Sequence, residues 1–223
     1  MAKILVPSTG PDNWRAFLAK PDLHWATGYS ARTLAFAWEA SAGLPPEIDS
    51  ILRPVFAAIE PLVTIPEHKT PLPGGSRESQ SDVFTLLRHS RGLVACTIEG
   101  KVNEPFGPTV AQQMSEASSG KIARLGYLCE LLGIADCPTD VHYQLLHRTA
   151  SALIEAERFC ASDAAMIVHS FSPERRWFEA FERFCDVLGC GPVTVGEPVT
   201  LTVPGGKRLV LGWACGDSRF LEC

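Results

Sequence analysis

Several signals that assign a protein to a familiar class are missing from this chain of 223 residues. None of its eight cysteines forms a CxxC pair, so the close ligand spacing of a structural zinc site is absent. The longest apolar runs, such as 164–168, are far shorter than the roughly 20 residues that cross a bilayer. We therefore expect no membrane span, and we expect the cysteines to be small buried thiols in a reducing cytoplasm.

An excess of positive charge is also missing. The chain has 20 Lys and Arg residues and 25 Asp and Glu residues, a net charge of −5. This charge does not favour a non-specific polyanion binder, but it is compatible with a local basic groove. Residues 1–20 lack the apolar core and cleavage region of a secretory signal, so a cytoplasmic location is predicted. Hydrophobic content of 46% and charged content of 20% are ordinary for a globular protein.

Common catalytic motifs are absent as well. The glycine-rich segment 73–77 is not followed by Gly-Lys-Ser/Thr and does not join a strand to a helix, so it is not a phosphate-binding P-loop. The chain contains neither a Gly-x-Ser-x-Gly elbow nor a His-Glu-x-x-His motif. A function must therefore be sought in residues that the fold brings together.

Hydrophobic periodicity and turn residues predict alternating helices and strands. The predicted elements are helices over 30–41 and 47–59, strands over 62–69, 81–88 and 93–102, helices over about 108–117, 121–132 and 140–160, a strand over 164–169, a helix from 173 to 188, and strands over 193–203 and 207–214. Ser30 is expected to cap the first helix, and Pro54 to kink or split the second. This order predicts a single domain over 1–223, with one mixed sheet covered by helices.

Two facing strands carry the most informative polar residues. One begins at Ser81-Asp82 and the other ends at Glu99-Gly100-Lys101, and both are rich in apolar and β-branched residues. A turn across 89–92 has glycine at its last position, where a type I turn favours it. The turn sets a register in which Asp82 lies opposite Glu99, with Cβ atoms roughly 4.5–5.5 Å apart on one face.

Lys101 is expected on the same face, because side chains two residues apart in a strand point the same way. Like charges directly opposed in an antiparallel pair are destabilising, so Asp82 and Glu99 need a positive neighbour. A divalent cation held by carboxylate oxygens, with Lys101 beside it, would offset the repulsion. The alternative is a solvated strand face on which Lys101 forms an ordinary cross-strand ion pair.

The order of helix, three-strand meander, helix and strand, together with Asp82 and Glu99-Gly100-Lys101, resembles the core of the PD-(D/E)XK or restriction-endonuclease-like superfamily. The resemblance covers roughly residues 28–171, and the C-terminal helix and hairpin are an extension. It implies an α/β fold with a mixed central sheet flanked by helices. It also implies a nuclease that hydrolyses phosphodiester bonds with Mg²⁺ or Mn²⁺, with DNA favoured over RNA as the nucleic-acid partner.

By this resemblance, Asp82 and Glu99 bind the metal and Lys101 acts with them in catalysis. Glu39, on the first core helix, is placed like a further metal ligand of the superfamily. Gln144 resembles a glutamine of exonuclease-like members, but Arg148 stands where their tyrosine is expected. If this helix borders the site, Gln144 and Arg148 are candidates for holding phosphate oxygens, because arginine presents a planar fork of donors.

Several residues have plainer interpretations. Glu67 and His68 are expected on the first predicted strand, near the same end of the sheet as the site, but ordinary exposure is the preferred interpretation of both. His169 is interpreted as a hydrogen-bonded structural histidine. Gln144 and Arg148 share a helical face with two other polar residues, and a solvated stripe is the default interpretation of such a face. For the whole protein, the alternative to a nuclease is a catalytically inactive protein of the same fold that acts as a binding or assembly subunit. A homodimer is possible for either.

Overall fold

The computed structural model describes residues 8–223, so part of the segment 1–20, for which no secretory signal is expected, lies outside the described residues. The strands within this range are β1 (Ile59–Thr70), β2 (Ser79–His89), β3 (Gly92–Lys101), β4 (Asp163–Ser170), β5 (Pro198–Thr202) and β6 (Arg208–Cys215). The helices are α1 (Pro21–His24), α2 (Ser30–Glu39), α3 (Pro46–Phe56), α4 (Val110–Met114), α5 (Ser119–Leu132), α6 (Tyr143–Arg158) and α7 (Phe178–Val187). Short 3-10 helices cover Pro11–Phe17 and Ser218–Glu222.

The strands form one mixed sheet in the order β1-β2-β3-β4-β6-β5. Strands β1, β2 and β3 are an antiparallel meander. Strand β4 runs parallel to both β3 and β6, and β5 pairs antiparallel with β6. The predicted α/β fold with a mixed central sheet flanked by helices is confirmed, including the closing hairpin. The single domain over 1–223 stays a prediction.

The turn between β2 and β3 fixes the register that the sequence predicts. His89 pairs with Gly92, and the pairing continues without a shift to Val83 opposite Ile98. Neither of the two turn residues between His89 and Gly92 has a positive φ, which agrees with a type I turn. The regular pairing ends at Val83 and Ile98, one position before Asp82 and Glu99, and the same register continued by one position brings these two residues opposite each other.

Apolar side chains cover both faces of the sheet. Helices α2 and α3 pack on one face, where Ile51 and Ile98 are among the fully buried residues. Helices α5, α6 and α7 contribute to the core on the other face, where Phe84 and Trp213 are fully buried. Strand β4 is buried along its whole length, as its continuous apolar run predicts for a central strand covered on both faces.

Local differences from the predicted elements have identifiable causes. Ser30 is not the N-cap of α2: Tyr29 takes that position, and the backbone N–H of Ser30 donates to Glu104 Oε1 at 3.1 Å. A carboxylate distant in sequence thus satisfies this helix end. Pro54 lies in the last turn of α3, which ends at Phe56 because the chain enters β1 three residues later.

The eight cysteines are free thiols. Cys96, Cys129 and Cys185 are buried, whereas Cys160 and Cys215 are exposed and the other three are half-buried. The expectation of buried thiols is therefore right for part of the set only. None of the helices in the described range 8–223 has the length and apolar character needed to cross a membrane.

Candidate active site

A cleft of about 1020 Å³ opens at the end of the sheet where β2 begins and β3 ends. Its walls come from the segment 18–31, from the loop 72–80 and from the first turns of α6. Asp82, Glu99 and Lys101 all line it. Two neighbouring antiparallel strands thus deliver three charged side chains to one concave surface, because paired residues share a face.

The carboxylate of Glu99 is held by three donors. Its Oε1 accepts hydrogen bonds from Lys101 Nζ at 2.5 Å and from Gln144 Nε2 at 2.7 Å. Its Oε2 accepts from Arg148 Nε at 2.5 Å. Glu99 is 2% exposed, Lys101 3% and Arg148 8%, so salt in solution screens these ion pairs only weakly.

The two cations decide the charge of Glu99. Burial opposes its ionisation, but the charges of Lys101 and Arg148 overcome this effect and lower the pKa of Glu99 to about 2. Glu99 is therefore an anion throughout the physiological pH range. One carboxylate facing two cations leaves local positive charge on the floor of the cleft.

Asp82 lies beside Glu99 but carries a different charge. Its Oδ2 accepts a hydrogen bond from the backbone N–H of Gly100 at 2.7 Å. Burial, followed by the negative charge of Glu99, raises the pKa of Asp82 to about 7. Near neutral pH, Asp82 is therefore divided between its protonated and ionised forms.

Glu67 is a third carboxylate of this cluster and departs from its expected exposure. It lies between Pro66, which pairs with Val83, and His68, which pairs with Ser81, so it faces Asp82 across β1 and β2. It is half-buried and lines the cleft.

The surroundings of Glu67 favour its neutral form. Burial, and then the charge of Asp82, raises the pKa of Glu67 to about 8. Its Oε2 accepts a hydrogen bond from Gln80 Nε2 at 2.7 Å. The backbone φ of Glu67 is +52°, an uncommon value for a non-glycine residue that no local sequence signal indicates.

The polar face of α6 is not the solvated stripe of the default interpretation. Arg148 is buried, and its Nη1 donates to Ser79 Oγ at 3.1 Å. His147 Nδ1 lies 2.8 Å from the same hydroxyl. Burial, and then the charge of Arg148, lowers the pKa of His147 to about 3, so this ring is neutral. Gln144 and Arg148 thus border the cleft, one helical turn apart.

Glu39 is the one predicted site residue that the structure places elsewhere. Its Oε1 accepts hydrogen bonds from Ser8 Oγ at 2.6 Å and Trp14 Nε1 at 2.8 Å. Only the first turn of α2, at Ser30, lines the cleft. Glu39 is nine residues further along, roughly 14 Å at 1.5 Å per residue. Its expected role as a metal ligand does not fit this position.

The loop before β2 is anchored against α5 and brings a cation to the cleft. Arg124 donates to three carbonyl oxygens of the loop 71–78. Gly74, with φ +78°, lies directly against the backbone of Gly120, where a Cβ atom would collide. Arg77 of this loop lines the cleft and has no ion-pair partner within residues 8–223.

Asp82 and Glu99 are compatible with a magnesium-type ion. Mg²⁺ retains several waters and commonly binds through one or two protein carboxylates together with substrate phosphates. Asp82 Oδ1 has no hydrogen-bond donor within the described chain, so it can accept a cation. Among residues 8–223 no group of three or more His, Cys, Asp or Glu side chains could hold a metal ion by itself. The residues therefore fit a two-carboxylate magnesium site and not a closed structural site.

Fold and site together define an α/β protein with a buried cluster of carboxylates and cations at one end of a mixed sheet. The chain belongs to the family DUF6946, a domain of unknown function, whose sequence model matches residues 7–218. No curated protein and no solved structure matches it. The chemistry of the site is therefore the main indication of function.

Proposed function

We propose that the protein is a metal-dependent nuclease that hydrolyses phosphodiester bonds, with DNA favoured as the substrate. The observation that carries the proposal is the meeting of Asp82, Glu99 and Lys101 in the cleft, at the ends of two neighbouring strands. These residue types at these places are the ones implied by the resemblance to the PD-(D/E)XK superfamily. The preference for DNA comes from that resemblance alone.

Asp82 and Glu99 are the residues that would hold Mg²⁺ or Mn²⁺. When bound, the cation would polarise the phosphate and stabilise the oxyanion that leaves. Lys101 Nζ lies beside Glu99, within reach of a phosphate in the cleft. Its positive charge would orient the attacking water and stabilise negative charge on the phosphate oxygens in the transition state.

Arg148 and Gln144 would hold the substrate in place. Arg148 contacts Glu99 through Nε and Ser79 through Nη1, and its Nη2 has no hydrogen-bond partner within residues 8–223. A guanidinium group matches phosphate geometry through its planar fork of donors. Nη2 is therefore available to a phosphate oxygen, while Glu99 keeps the side chain oriented.

A second candidate is a non-catalytic binding or assembly subunit with the same fold. The observation that favours it is the engagement of Glu99, both of whose oxygens already accept hydrogen bonds from Lys101, Gln144 and Arg148. A metal ion would have to share these oxygens with three donors. A carboxylate arranged in this way also serves as a purely structural anchor between β3 and α6.

The decisive experiment is a cleavage assay with Lys101→Ala and its control Lys69→Ala, an exposed lysine on β1. Labelled single- and double-stranded DNA and RNA are incubated with Mg²⁺ or Mn²⁺ under single-turnover conditions. Wild type and the control should cut, whereas Lys101→Ala should lose about 10²–10³-fold in rate, the usual effect of removing one group that stabilises developing charge.

Metal binding is measured on the same proteins by calorimetric titration with Mn²⁺. Lys101→Ala should still bind Mn²⁺, because lysine is not a cation ligand and both carboxylates remain. A wild-type protein that binds metal but cuts none of the substrates would favour the non-catalytic subunit. Full cleavage by Lys101→Ala would contradict the role assigned to this lysine.

A further inference from the structure

The entrance of the cleft combines exposed apolar side chains with unpaired cations. Within the described chain, the exposed large hydrophobic side chains are Leu23 at 59%, Tyr29 at 48% and Ile122 at 57%. Leu23 and Tyr29 line the cleft, and Ile122 does not. Single exposed apolar residues scattered over a surface need no explanation. Here, however, two of the three exposed large hydrophobic side chains lie at the opening of one cleft, which indicates a surface that binds a ligand.

Lys20 and Arg77 are exposed at the same opening. Neither forms an ion pair with a carboxylate in the chain from residue 8 onward. We call Lys20, Leu23, Tyr29 and Arg77 the rim of the cleft. Its chemistry is that of one aromatic and one aliphatic side chain together with two positive charges that form no ion pair within the described residues.

We infer that the rim receives single-stranded nucleic acid, with an unpaired base stacked on the Tyr29 ring and backbone phosphates near Lys20 and Arg77. This inference rests on the proposed nuclease function and narrows its substrate class. Proteins that bind single strands combine a positive groove with aromatic side chains on which unpaired bases stack. In the interior of a duplex both faces of a base are covered by its neighbours, so the Tyr29 ring would have no internal base to contact.

The depth of the site also favours a single strand over a duplex. Glu99 and Lys101 are 2% and 3% exposed, so a phosphate reaches them only by entering the cleft. A cleft of about 1020 Å³ lies at the upper end of the range for small-ligand pockets, about 300–1,000 Å³. It has room for a short piece of one strand, whereas a duplex carries a second strand and base pairs that would have to stay outside.

The first test compares Tyr29→Ala with the control Ile122→Ala, which removes an exposed apolar side chain outside the cleft. Binding of a labelled 15-nucleotide DNA strand and of its duplex is followed by fluorescence anisotropy. To prevent cleavage, measurements are made in EDTA, and with Mn²⁺ in a Lys101→Ala background. Wild type should prefer the single strand, and Tyr29→Ala should bind it about 5- to 150-fold more weakly, the range for losing one stacked base. Ile122→Ala should bind like wild type.

Two further measurements separate stacking and phosphate contact from a general loss of structure. A strand with abasic sites should bind wild type more weakly but should lose little affinity for Tyr29→Ala, and Tyr29→Trp should retain tight binding. Lys20→Gln and Arg77→Gln should each reduce the slope of log affinity against log salt by about 0.7, as expected for one phosphate contact on a single strand. Arg88→Gln, which breaks an exposed pair with Glu60, should not change the slope.

Failure of the inference is distinguishable from failure of the proposed nuclease. Single-strand binding that depends on Tyr29, without cleavage in the presence of any metal, would support nucleic-acid binding at the rim and contradict the proposed nuclease activity. Cleavage of single strands and duplexes with equal efficiency, unaffected by Tyr29→Ala, would contradict single-strand binding at the rim but support the nuclease activity. Absence of single-strand binding both in EDTA and with Mn²⁺ would also overturn it.

Discussion

Asp82 and Glu99 are neighbours on adjacent strands, yet their environments push their pKa values in opposite directions. Glu99 contacts Lys101 and Arg148, which hold it as an anion. Burial and the charge of Glu99 instead raise the pKa of Asp82 to about 7. Pairs of titratable groups separated in this way are typical of sites in which each group has a different task. Glu99 orients the side chains of Lys101 and Arg148. Asp82 has one oxygen, Oδ1, that accepts no hydrogen bond within residues 8–223.

Asp82→Asn should raise the melting temperature at pH 8 in the presence of a chelator. At this pH the Asp82 carboxylate is ionised next to Glu99, and the neutral amide removes the repulsion. The same change removes a ligand for a hard cation, so the stabilisation that Mn²⁺ gives wild type should disappear. Asp136→Asn, at an exposed position, is the control. Equal Mn²⁺-induced shifts in Asp82→Asn and wild type would show that Asp82 does not bind the metal.

Glu67 and Glu39 offer a comparison of two carboxylates under the proposed nuclease function. Glu67→Gln should slow cleavage by about 10- to 100-fold, the usual effect of altering a group that supports a metal ligand, because Glu67 faces Asp82. Glu39→Gln should leave cleavage unchanged and lower stability, since Glu39 binds Ser8 and Trp14. Cleavage rates and melting curves of both variants test this expectation. Slow cleavage by Glu39→Gln together with normal cleavage by Glu67→Gln would show that Glu39, and not Glu67, belongs to the site.

Some residues of the site can be predicted from the sequence, and others cannot. The meeting of Asp82 and Glu99 in one cleft is predictable because strand side chains alternate with a period of two and the turn sets the register. Gln144 and Arg148 are predictable as one helical face, although their burial is not. Glu67 is predictable as a residue of the first strand, but its burial and its positive φ have no local sequence signal. Glu39 does not lie at the cleft, and this could not be foreseen because the sequence does not show which end of a helix meets it.

At the scale of elements, β6 and α3 approach so closely that a side chain at one position of the strand would force its neighbours to shift. A Cβ atom on Gly212 would lie 2.7 Å from Cγ2 of Ile51, a fully buried residue of α3. The sequence indicates a strand here but gives no sign of this contact, because it depends on how a helix from another part of the chain packs.

Gly212→Ala should therefore destabilise the protein by about 1–3 kcal/mol, the usual effect of overpacking a core. Gly126→Ala is the matched control: it lies in α5, it is exposed, and no atom is within 4 Å of its added Cβ. This control should stabilise by about 0.5–1 kcal/mol, because alanine favours a helix interior over glycine. Urea unfolding gives both values, and similar effects for the two variants would mean that α3 does not pack as described.

At the scale of the whole molecule, a buried carboxylate links the sheet to the helical layer on one face. Glu155 of α6 is fully buried and accepts a hydrogen bond from Thr70 Oγ1 at 2.9 Å. His68 Nε2 lies 3.1 Å from the same oxygen. Burial opposes ionisation of Glu155, but His68 and Thr70 outweigh it and lower the pKa of Glu155. His68 is therefore a structural contact of α6 and not an exposed residue.

The lowered pKa of Glu155 predicts loss of stability in acid. Below the ordinary pKa of glutamate, 4.5, the unfolded chain binds a proton at Glu155 whereas the folded protein does not. The free energy of unfolding therefore decreases as the pH is lowered. Glu155→Gln should lower it by about 1–3 kcal/mol at pH 7 and flatten its decline between pH 5 and 3. The exposed Glu157 of the same helix provides the control Glu157→Gln. Parallel pH curves for Glu155→Gln and wild type would exclude this role.

Strand β1 has a consequence beyond the site it helps to build. It forms one edge of the sheet, but Pro61 and Pro66 lack N–H donors, the register shifts after Pro61, and Glu67 has a positive φ. A long, flat and regular edge invites strands of other chains to add to it, whereas prolines and irregularities discourage this. The irregular backbone that turns Glu67 toward the cleft thus also protects the protein against fibre-forming aggregation at this edge.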